Sequence, residues 1–296
     1  MKVLENADIT VKHYDLVQNT KTRIIDDHLD GILQNENGKW QLTLQNSDPS
    51  SAKALQIKVN QAMVTQSQMQ LKEKLPSNVA FPNANLDTNY VYGSSETEFF
   101  DVLSPILVGF FVFFFVFLIS GIGLLKERTS GTLDRLMATP IRRGEIVTAY
   151  LVGFGIFAVI QTVIVVLYAV NILDMVLRGS LWTVVLINLL LALVALSLGT
   201  LLSSFAASEF QMIQFIPIAV VPQVFFSGII PLSGMAYWLQ ELAKIMPIYY
   251  GADALKDVMY KGVGIQDIVG DLLALTIFAV IFIILNIFAL KKYRKL

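Results

Sequence analysis

Long hydrophobic segments without a single charged residue dominate the last two thirds of this chain. Five of them stand out, at residues 102–125, 146–170, 181–202, 212–232 and 272–290. A helix needs about 20 apolar residues to cross the hydrocarbon core of a bilayer, and each segment is close to that length or longer. They are apolar on every side, as helices surrounded by lipid are. The pattern predicts five membrane-spanning helices, because so many apolar segments would leave too little polar surface to enclose them in a soluble core.

The first hundred residues are polar and mixed in charge, and their pattern has a different period. Residues 40–46 alternate between apolar and polar positions as a half-buried strand does, whereas the apolar residues of 52–74 recur at helical spacing. Ser50 or Ser51 is positioned to cap that helix. We therefore predict a small α+β domain over residues 1–100.

Lysine and arginine residues are divided unequally between the two ends of the all-α polytopic bundle predicted over residues 101–296. Nine lie on one side, namely Lys126, Arg128, Arg135, Arg142, Arg143, Lys291, Lys292, Arg294 and Lys295. Four lie on the other, namely Arg178, Lys244, Lys256 and Lys261. Cytoplasmic connections carry the excess of positive charge. Residues 126–145 and the C-terminus are therefore predicted to be cytoplasmic, and the N-terminal domain extracytoplasmic.

An extracytoplasmic N-terminal domain needs a segment that carries it across the membrane. The opening residues, MKVLENADITVKHYDL, contain neither an apolar signal core nor a spanning helix. We therefore expect a further span upstream of Met1, which would bring the total to six.

The overall composition is that of a membrane protein and narrows the possible chemistry. Charged residues make up 15% of the chain, against about 25% in soluble domains, and the mean hydropathy is +0.61. The net charge of -1 gives no reason to expect nucleic acid as a partner. Cysteine is absent, and His13 and His28 lack the spacing of a helical metal pair, so we predict no metal site. The sequence also lacks paired carboxylates or a Ser/His arrangement placed for chemistry, which argues against an enzyme.

The connection at residues 126–145 is long, charged and rich in helix-forming residues. The first span is predicted to end at Leu125, where the charges begin. Ser130 or Thr132 is positioned to cap a short helix, which Pro140 would end. The apolar stripe of this helix consists of Leu133, Leu136 and Met137. It either rests on the bilayer surface or docks into a partner protein, and the pattern alone favours neither.

The fourth hydrophobic segment is unusual because helix-breaking residues interrupt it. They are Pro217, Pro222, Gly228 and Pro231. Broken helices are tolerated in lipid only where protein or a cavity satisfies the freed backbone groups, so this span is predicted to line a path through the membrane. Residues 233–262 have the apolar spacing of two short amphipathic helices in the outer leaflet, with Trp238 as an interfacial anchor and Pro247 as the break between them.

Four stretches of the sequence closely resemble, in the same order, segments of type-2 ABC exporter permeases, the membrane subunits of exporters for drugs and lipid-like molecules. The stretches are LLKERTSGTLDRLMATPIRRGEIV (124–147), GFGIFAVIQ (153–161), SLGTLLSSFAASEFQMIQFIPIAVVPQVFFSGIIPL (197–232) and IMPIYYGADALKDVMYKG (245–262). The resemblance covers the chain from about residue 89 onward. The polar N-terminal part is more loosely similar to the large extracellular loop of that family, whose members have six spans per subunit.

The resemblance implies three sets of functional residues. A coupling segment would bind in a groove of a separately encoded ATP-binding subunit through Glu127, Arg128, Gly131, Thr132, Leu133, Arg135, Leu136, Met137 and Pro140. A gate near the centre of a homodimer or heterodimer of permease subunits would involve Glu209, Phe210 and Gln211, for which anchoring at the membrane interface is the alternative. The broken span, and not the resemblance, adds Gln214, Pro217, Pro222 and Gln223 as candidates for the path, and the two glutamines serve either the path or hydrogen bonds between helices. A re-entrant region that closes the outer end of the path would involve Trp238, Pro247, Tyr249 and Tyr250.

The function so implied is export of a hydrophobic or amphipathic compound, such as a drug, an antibiotic or a lipid-like molecule, across the plasma membrane. ATP and Mg²⁺ would be bound by the partner subunit and no cofactor by this chain, which contains no GxxxxGK[ST] phosphate loop. The spans contain no carboxylate that would bind a coupling proton or sodium ion, so the energy would come from outside the chain. A passive channel and a membrane-bound sensor are the alternatives.

Overall fold

The computed structural model describes residues 9–14, 19–36, 39–72, 86–230, 232 and 235–290. They divide into two compact units, with the boundary between Val102 and Leu103. Each unit has its own hydrophobic core, so the two fold around separate sets of apolar residues.

The N-terminal unit combines a three-stranded sheet with helices. Its described elements are α1 (Thr20–Asp26), β1 (Gly31–Glu36), β2 (Lys39–Leu44), α2 (Pro49–Lys72) and β3 (Asp87–Tyr90). The central strand, β2, pairs antiparallel with β1 and parallel with β3. Leu42 and Leu44 of β2 cluster with Val59 and Met63 of α2 to form the core. The small α+β fold predicted from the alternation of apolar residues is confirmed.

Helix α2 begins earlier than predicted, and the prediction that Ser50 or Ser51 caps it is wrong. Pro49 is the first helical residue, and the Asp48 carboxylate accepts the Ser50 N–H at 3.0 Å and the Ser51 hydroxyl at 2.7 Å. Proline is favoured at the first helical position because it has no N–H to satisfy there, and this moves the cap upstream to Asp48. The predicted end of this helix at Lys74 lies outside the described residues.

The membrane unit consists of long helices joined by short ones. In chain order its elements are α3 (Phe99–Thr129), α4 (Thr132–Met137), α5 (Arg143–Asn171), α6 (Leu181–Ser203), α7 (Glu209–Ala219), α8 (Val221–Val224), a first π-helical segment (Phe225–Ile229), α9 (Tyr237–Ala243), α10 (Pro247–Lys256), a second π-helical segment (Asp257–Lys261) and α11 (Val269–Ala289). Within the described residues, five stretches are long and apolar enough to cross a membrane. They are α3, α5, α6, the broken helix from α7 through the first π-helical segment, and α11. The five predicted spans are confirmed as helices.

Helix α3 continues past the predicted end of the first span at Leu125. Lys126, Glu127 and Arg128 belong to its last turns, and the helix ends at Thr129. Positive charge near a helix C-terminus interacts favourably with the helix dipole. The helix therefore runs from the apolar segment into the polar interface without a break.

Helix α6 is the central helix of the membrane unit. Of its most apolar stretch, 61% is buried within the protein, against 17% for both α5 and α11, which lie beside it. The outward faces of α5 and α11 carry large apolar side chains, such as Phe157 and Leu273. Such surfaces are expected of helices that face lipid.

Two glycines allow the backbones of α3 and α6 to approach each other closely. Gly121 of α3 lies against Gly199 of α6, and a Cβ added at Gly199 would come within 2.5 Å of the Phe117 carbonyl oxygen. Small residues serve this purpose where helices cross in membranes. The contact fixes the position of α3 on the central helix.

Polar side chains between the spans bond to backbone carbonyls of neighbouring helices. Asn286 of α11 donates to the Ser197 carbonyl of α6 at 2.7 Å. Gln161 of α5 donates to the Val112 carbonyl of α3 at 3.4 Å. These bonds connect the helices and satisfy amides that would otherwise lie unpaired in hydrocarbon.

The substitution Gly199→Ala is expected to lower the free energy of unfolding by about 1–3 kcal/mol, because the added methyl group meets backbone atoms of α3 that cannot move aside. Thermal unfolding in detergent measures the effect. Gly153→Ala in α5 is the matched control, since a Cβ at Gly153 meets nothing within 4 Å. It is expected to be neutral or to stabilise by up to about 1 kcal/mol through helix propensity. Equal unfolding temperatures for the two variants would contradict the close packing.

Candidate functional site

The predicted coupling helix is present as α4, but it starts and ends differently from the prediction. The prediction that Ser130 or Thr132 caps it is wrong, because the residue before the helix is Gly131, whose φ of 73° lies in the left-handed region. The chain must turn sharply between α3 and α4 within two residues, and glycine adopts this conformation without strain. The helix ends at Met137, three residues before Pro140.

The apolar stripe of α4 is divided between two directions, so the expectation that all of it is free is wrong. Leu133 is fully buried, in a cluster with Ile146 and Val147 of α5 and with Leu290, which follows α11. Met137 packs against the same cluster. A six-residue helix has little stability of its own, and burial of Leu133 holds α4 against the two spans.

Other residues of α4 are accessible. Leu136, which follows Leu133 on the same apolar stripe, is 36% exposed, and Asp134 is exposed as well. Ile141, which the sequence reasoning did not single out, adds a second exposed apolar side chain after the helix. The Arg135 guanidinium donates to the carbonyls of Gly131 and Ser130, each at 3.4 Å, so it folds back over the start of its own helix.

The side chain of Arg128, at the end of α3, bonds to the backbone at the C-terminal end of α6. Its guanidinium donates to the Ser203 carbonyl and, at 3.0 Å, to the Ala206 carbonyl. Ser203 is the last residue of α6 and Ala206 lies just after it, so Arg128 binds carbonyls at the C-terminal end of this helix, where cations are favoured. Arg128 thereby joins the ends of two spans, directly before the turn into α4. The half-buried side chain of Glu127 lies next to it in sequence.

The start of α7 brings together three of the predicted gate residues. The Ser208 hydroxyl accepts the Gln211 N–H at 3.2 Å, and the Gln211 side chain accepts the Ala207 N–H at 2.7 Å. Ser208 therefore caps the helix, and Gln211 bonds back to the residue before the cap. Glu209 is exposed in the first turn, and Phe210 is 70% exposed.

The fourth span is interrupted, as its sequence predicts, but at two places only within the residues that the structure describes. The first break lies at Val220, between α7 and α8, and the second at Gly228, whose φ is 90°. Pro217 lies inside α7 without ending it, and Pro222 lies in the first turn of α8. Pro231 falls outside the described residues.

One face of this broken span is uncovered and apolar. Its exposed residues are Phe210, Ile213, Gln214, Pro217, Ile218, Val221 and Phe225. Gln223 lies elsewhere: it is 3% exposed and bonds within the chain. The predicted gate residues thus separate into an exposed set on the uncovered face and a buried Gln223.

The two predicted outer helices are α9 and α10, and Pro247 is the first residue of the second. Trp238 is 67% exposed on α9, and its neighbour Tyr237 is exposed as well, as interfacial anchors are. Tyr249 and Tyr250 are half-buried, and the Tyr250 hydroxyl donates to the Lys244 carbonyl at 3.0 Å. Burial, with the nearby Asp253, raises the pKa of the Tyr249 hydroxyl, so this group stays neutral at physiological pH.

The apolar face of the second outer helix is covered by protein. Leu255, Val258 and Met259 are fully buried in the main core of the membrane unit. This face therefore packs against protein and not against lipid. Gly251 explains the close seating of α10, because a Cβ at this position would lie 2.5 Å from the Leu191 side chain of α6.

Comparison with known proteins decides the family. Residues 1–288 match the family described as ABC-2 family transporter protein. The chain belongs to the ABC-2 transporter family. With five helices that are long and apolar enough to cross a bilayer, this ABC-2 family member is a multi-pass membrane protein.

Curated relatives of this ABC-2 family chain include permeases. It is 29% identical over 194 residues to ABC transporter G family member 20 of Dictyostelium discoideum, over 65% of this chain and 27% of the relative. It is 27% identical over 226 residues to the probable multidrug ABC transporter permease YbhR of Escherichia coli K12, over 75% of this chain and 59% of the relative. The chain thus spans less than two thirds of the length of these relatives. No solved structure matches significantly.

The substitution Arg128→Met is expected to lower the free energy of unfolding by about 1.5–3 kcal/mol, since it removes charge-assisted hydrogen bonds to two carbonyls. Lys126→Met is the matched control. Like Arg128, Lys126 is a positively charged neighbour of Glu127, but its side chain is exposed. Its removal is expected to change the free energy of unfolding by less than about 0.5 kcal/mol. Thermal unfolding of both variants in detergent gives the difference. If Arg128→Met unfolds at the same temperature as the unsubstituted protein, the bonds of Arg128 to the two carbonyls contribute nothing to stability.

Proposed function

We propose that this chain is the membrane subunit of an ATP-driven exporter and that α4 couples it to a separately encoded ATP-binding subunit. The observation that carries the proposal is that the apolar stripe of α4 is only partly covered. Leu133 is buried against α5 and the end of α11, while Leu136 is accessible. A helix that the spans hold through Leu133 and that still offers Leu136 is suited to receive a partner and to pass its movement inward.

The short connections around α4 support this mechanism. Ser130 and Gly131 alone separate it from α3, and residues 138–142 separate it from α5. A force on the exposed face of α4 therefore displaces the ends of α3 and α5 instead of being absorbed by a flexible loop. The Arg128 bonds to the Ser203 and Ala206 carbonyls extend this connection to α6.

The path for the cargo is assigned to the uncovered face of the broken fourth span. Its apolar side chains, from Phe210 to Phe225, suit a hydrophobic or amphipathic compound and a second permease subunit that faces the same path. The relative YbhR carries the words probable multidrug ABC transporter permease in its name, which supports a drug-like cargo. The partner subunit would bind ATP and Mg²⁺ and hydrolyse the ATP, and closure of that subunit would drive the cargo outward.

The distribution of charged and aromatic residues supports an orientation in the plasma membrane. Arg142 and Lys126 are exposed near α4, whereas Trp182 and Trp238 are exposed at the other ends of the spans. Positive residues are enriched on the cytoplasmic side, and tryptophan is favoured at the interface. These features support the proposal that α4 lies in the cytoplasm and the N-terminal unit outside the cell.

The substitution Leu136→Asp tests the coupling. A charge buried without a partner in a docking groove costs about 3 kcal/mol or more, so the affinity for the ATP-binding subunit is expected to fall by about 100-fold or more. The measurement is co-purification of a tagged chain in mild detergent with its ATP-binding subunit, together with the ATPase activity of the complex.

Two matched variants serve as controls. Leu136→Met keeps the apolar contact, and Ala138→Asp adds the same charge at an exposed position directly after the helix. Both are expected to co-purify with the partner. If Leu136→Asp also co-purifies normally, or if the chain purifies alone and conducts ions without ATP, the proposal is wrong.

A further inference from the structure

The start of α10 creates a hydrogen-bonding requirement inside the membrane unit. Pro247, its first residue, has no N–H, and the next donor, the N–H of Ile248, has no acceptor within its own helix. Ile248 is 1% exposed, so water does not reach this group. A buried N–H in such a place needs an acceptor from another element.

The acceptor is the side chain of Gln223. Its Oε1 accepts the Ile248 N–H at 3.3 Å, and its Nε2 donates to the Ala219 carbonyl at 2.9 Å. Ala219 is the last residue of α7, and Gln223 lies on α8, beyond the break at Val220. A single buried amide thus connects both sides of the break in the fourth span with the start of α10.

The chemistry of this connection requires an amide of this length. An amide supplies a donor and an acceptor at once, and here both are used. Methionine would fill the same volume but offer neither group, and an ionised glutamate would accept from Ile248 but could not donate to Ala219. The connection therefore depends on the two functions of one side chain and not on its packing volume.

We propose that Gln223 is a positioning residue that makes α10, at the outer end of the bundle, follow rearrangements of the break in the fourth span. This inference rests on the proposed function, because it assigns to the same transporter the element that links its path to its outer end. It replaces the expectation that Gln223 lines the path. Helix α10 also contacts α8 and the first π-helical segment, so the Gln223 bonds lie within a wider contact between α10 and the broken span.

The first experiment measures hydrogen exchange of the Ile248 amide in the isolated chain, which needs neither ATP nor a partner. Gln223→Met is expected to speed exchange at Ile248 by about fivefold or more, since it removes the acceptor. Gln223→Glu keeps the acceptor and is expected to preserve protection. Gln214→Met is the matched control, because Gln214 is an exposed glutamine of the same span. If the Ile248 amide exchanges at the same rate in Gln223→Met, the hydrogen bond between Gln223 and Ile248 is absent and the inference is wrong.

The second experiment follows movement of the outer end in the complex with the ATP-binding subunit. The natural sequence contains no cysteine, so Ile245→Cys, at an exposed position two residues before Pro247, introduces a single thiol for a bimane label. Trapping the nucleotide state with ATP and vanadate is expected to shift the bimane emission. In the Gln223→Met background this shift is expected to be lost, while binding and hydrolysis of ATP continue.

The two readouts separate the possible failures. Faster Ile248 exchange with an unchanged bimane shift would limit Gln223 to a structural role and overturn the proposal. Absence of any bimane shift in the complex with Gln223 intact would count against the proposed function. The exchange result would still show whether Gln223 bonds to Ile248. If Gln223→Met does not assemble, Gln223→Ser decides, because its side chain is too short to join Ala219 to Ile248: the inference requires a reduced bimane shift, and a full shift would overturn it.

Discussion

A backbone polar group within a bilayer must find its hydrogen-bond partner inside the protein, and the rest of this structure depends on that constraint. It accounts for the five long helices, whose backbone bonds are internal. It also limits where the chain can deviate from a helix. At the break at Val220 a side-chain amide from Gln223 bonds to the last carbonyl of α7, and at the end of α6 the guanidinium of Arg128 bonds to two carbonyls. Gln223 and Arg128 thus satisfy backbone groups at the places where the helices end.

The same constraint gives the proposed mechanism its mechanical basis. Helices with satisfied backbones move as rigid bodies, so a displacement at one end of a span reaches the other end. Leu133 attaches α4 to two of these bodies, and Arg128 attaches the neighbouring turn to the central helix. On the far side, Gln223 attaches α10 to the break in the fourth span. Single side chains thus connect α4 and α10 to the spans: Leu133 and the neighbouring Arg128 at one end, and Gln223 at the other.

Much of the fold could be predicted from the sequence, because hydrophobic length and charge determine spans. The pattern could not reveal which side of a short helix would be covered: Leu133 and Leu136 are identical in type, and only tertiary packing buries the first. The cap before α4 was missed because residue type favours serine, whereas the sharp turn requires the left-handed φ of Gly131. Gln223 was assigned to the path since a polar residue at membrane depth does not reveal its partner, and Ile248 is distant in sequence.

The most direct test of the central claim is photo-cross-linking in intact cells with a benzophenone amino acid placed at position 136 or 133 of α4. The account predicts that position 136 forms an adduct with a protein that contains a phosphate-binding loop, and that position 133, which is fully buried, forms adducts only within its own chain. An adduct of position 136 with lipid alone would contradict the account and would mean that α4 rests on the membrane surface.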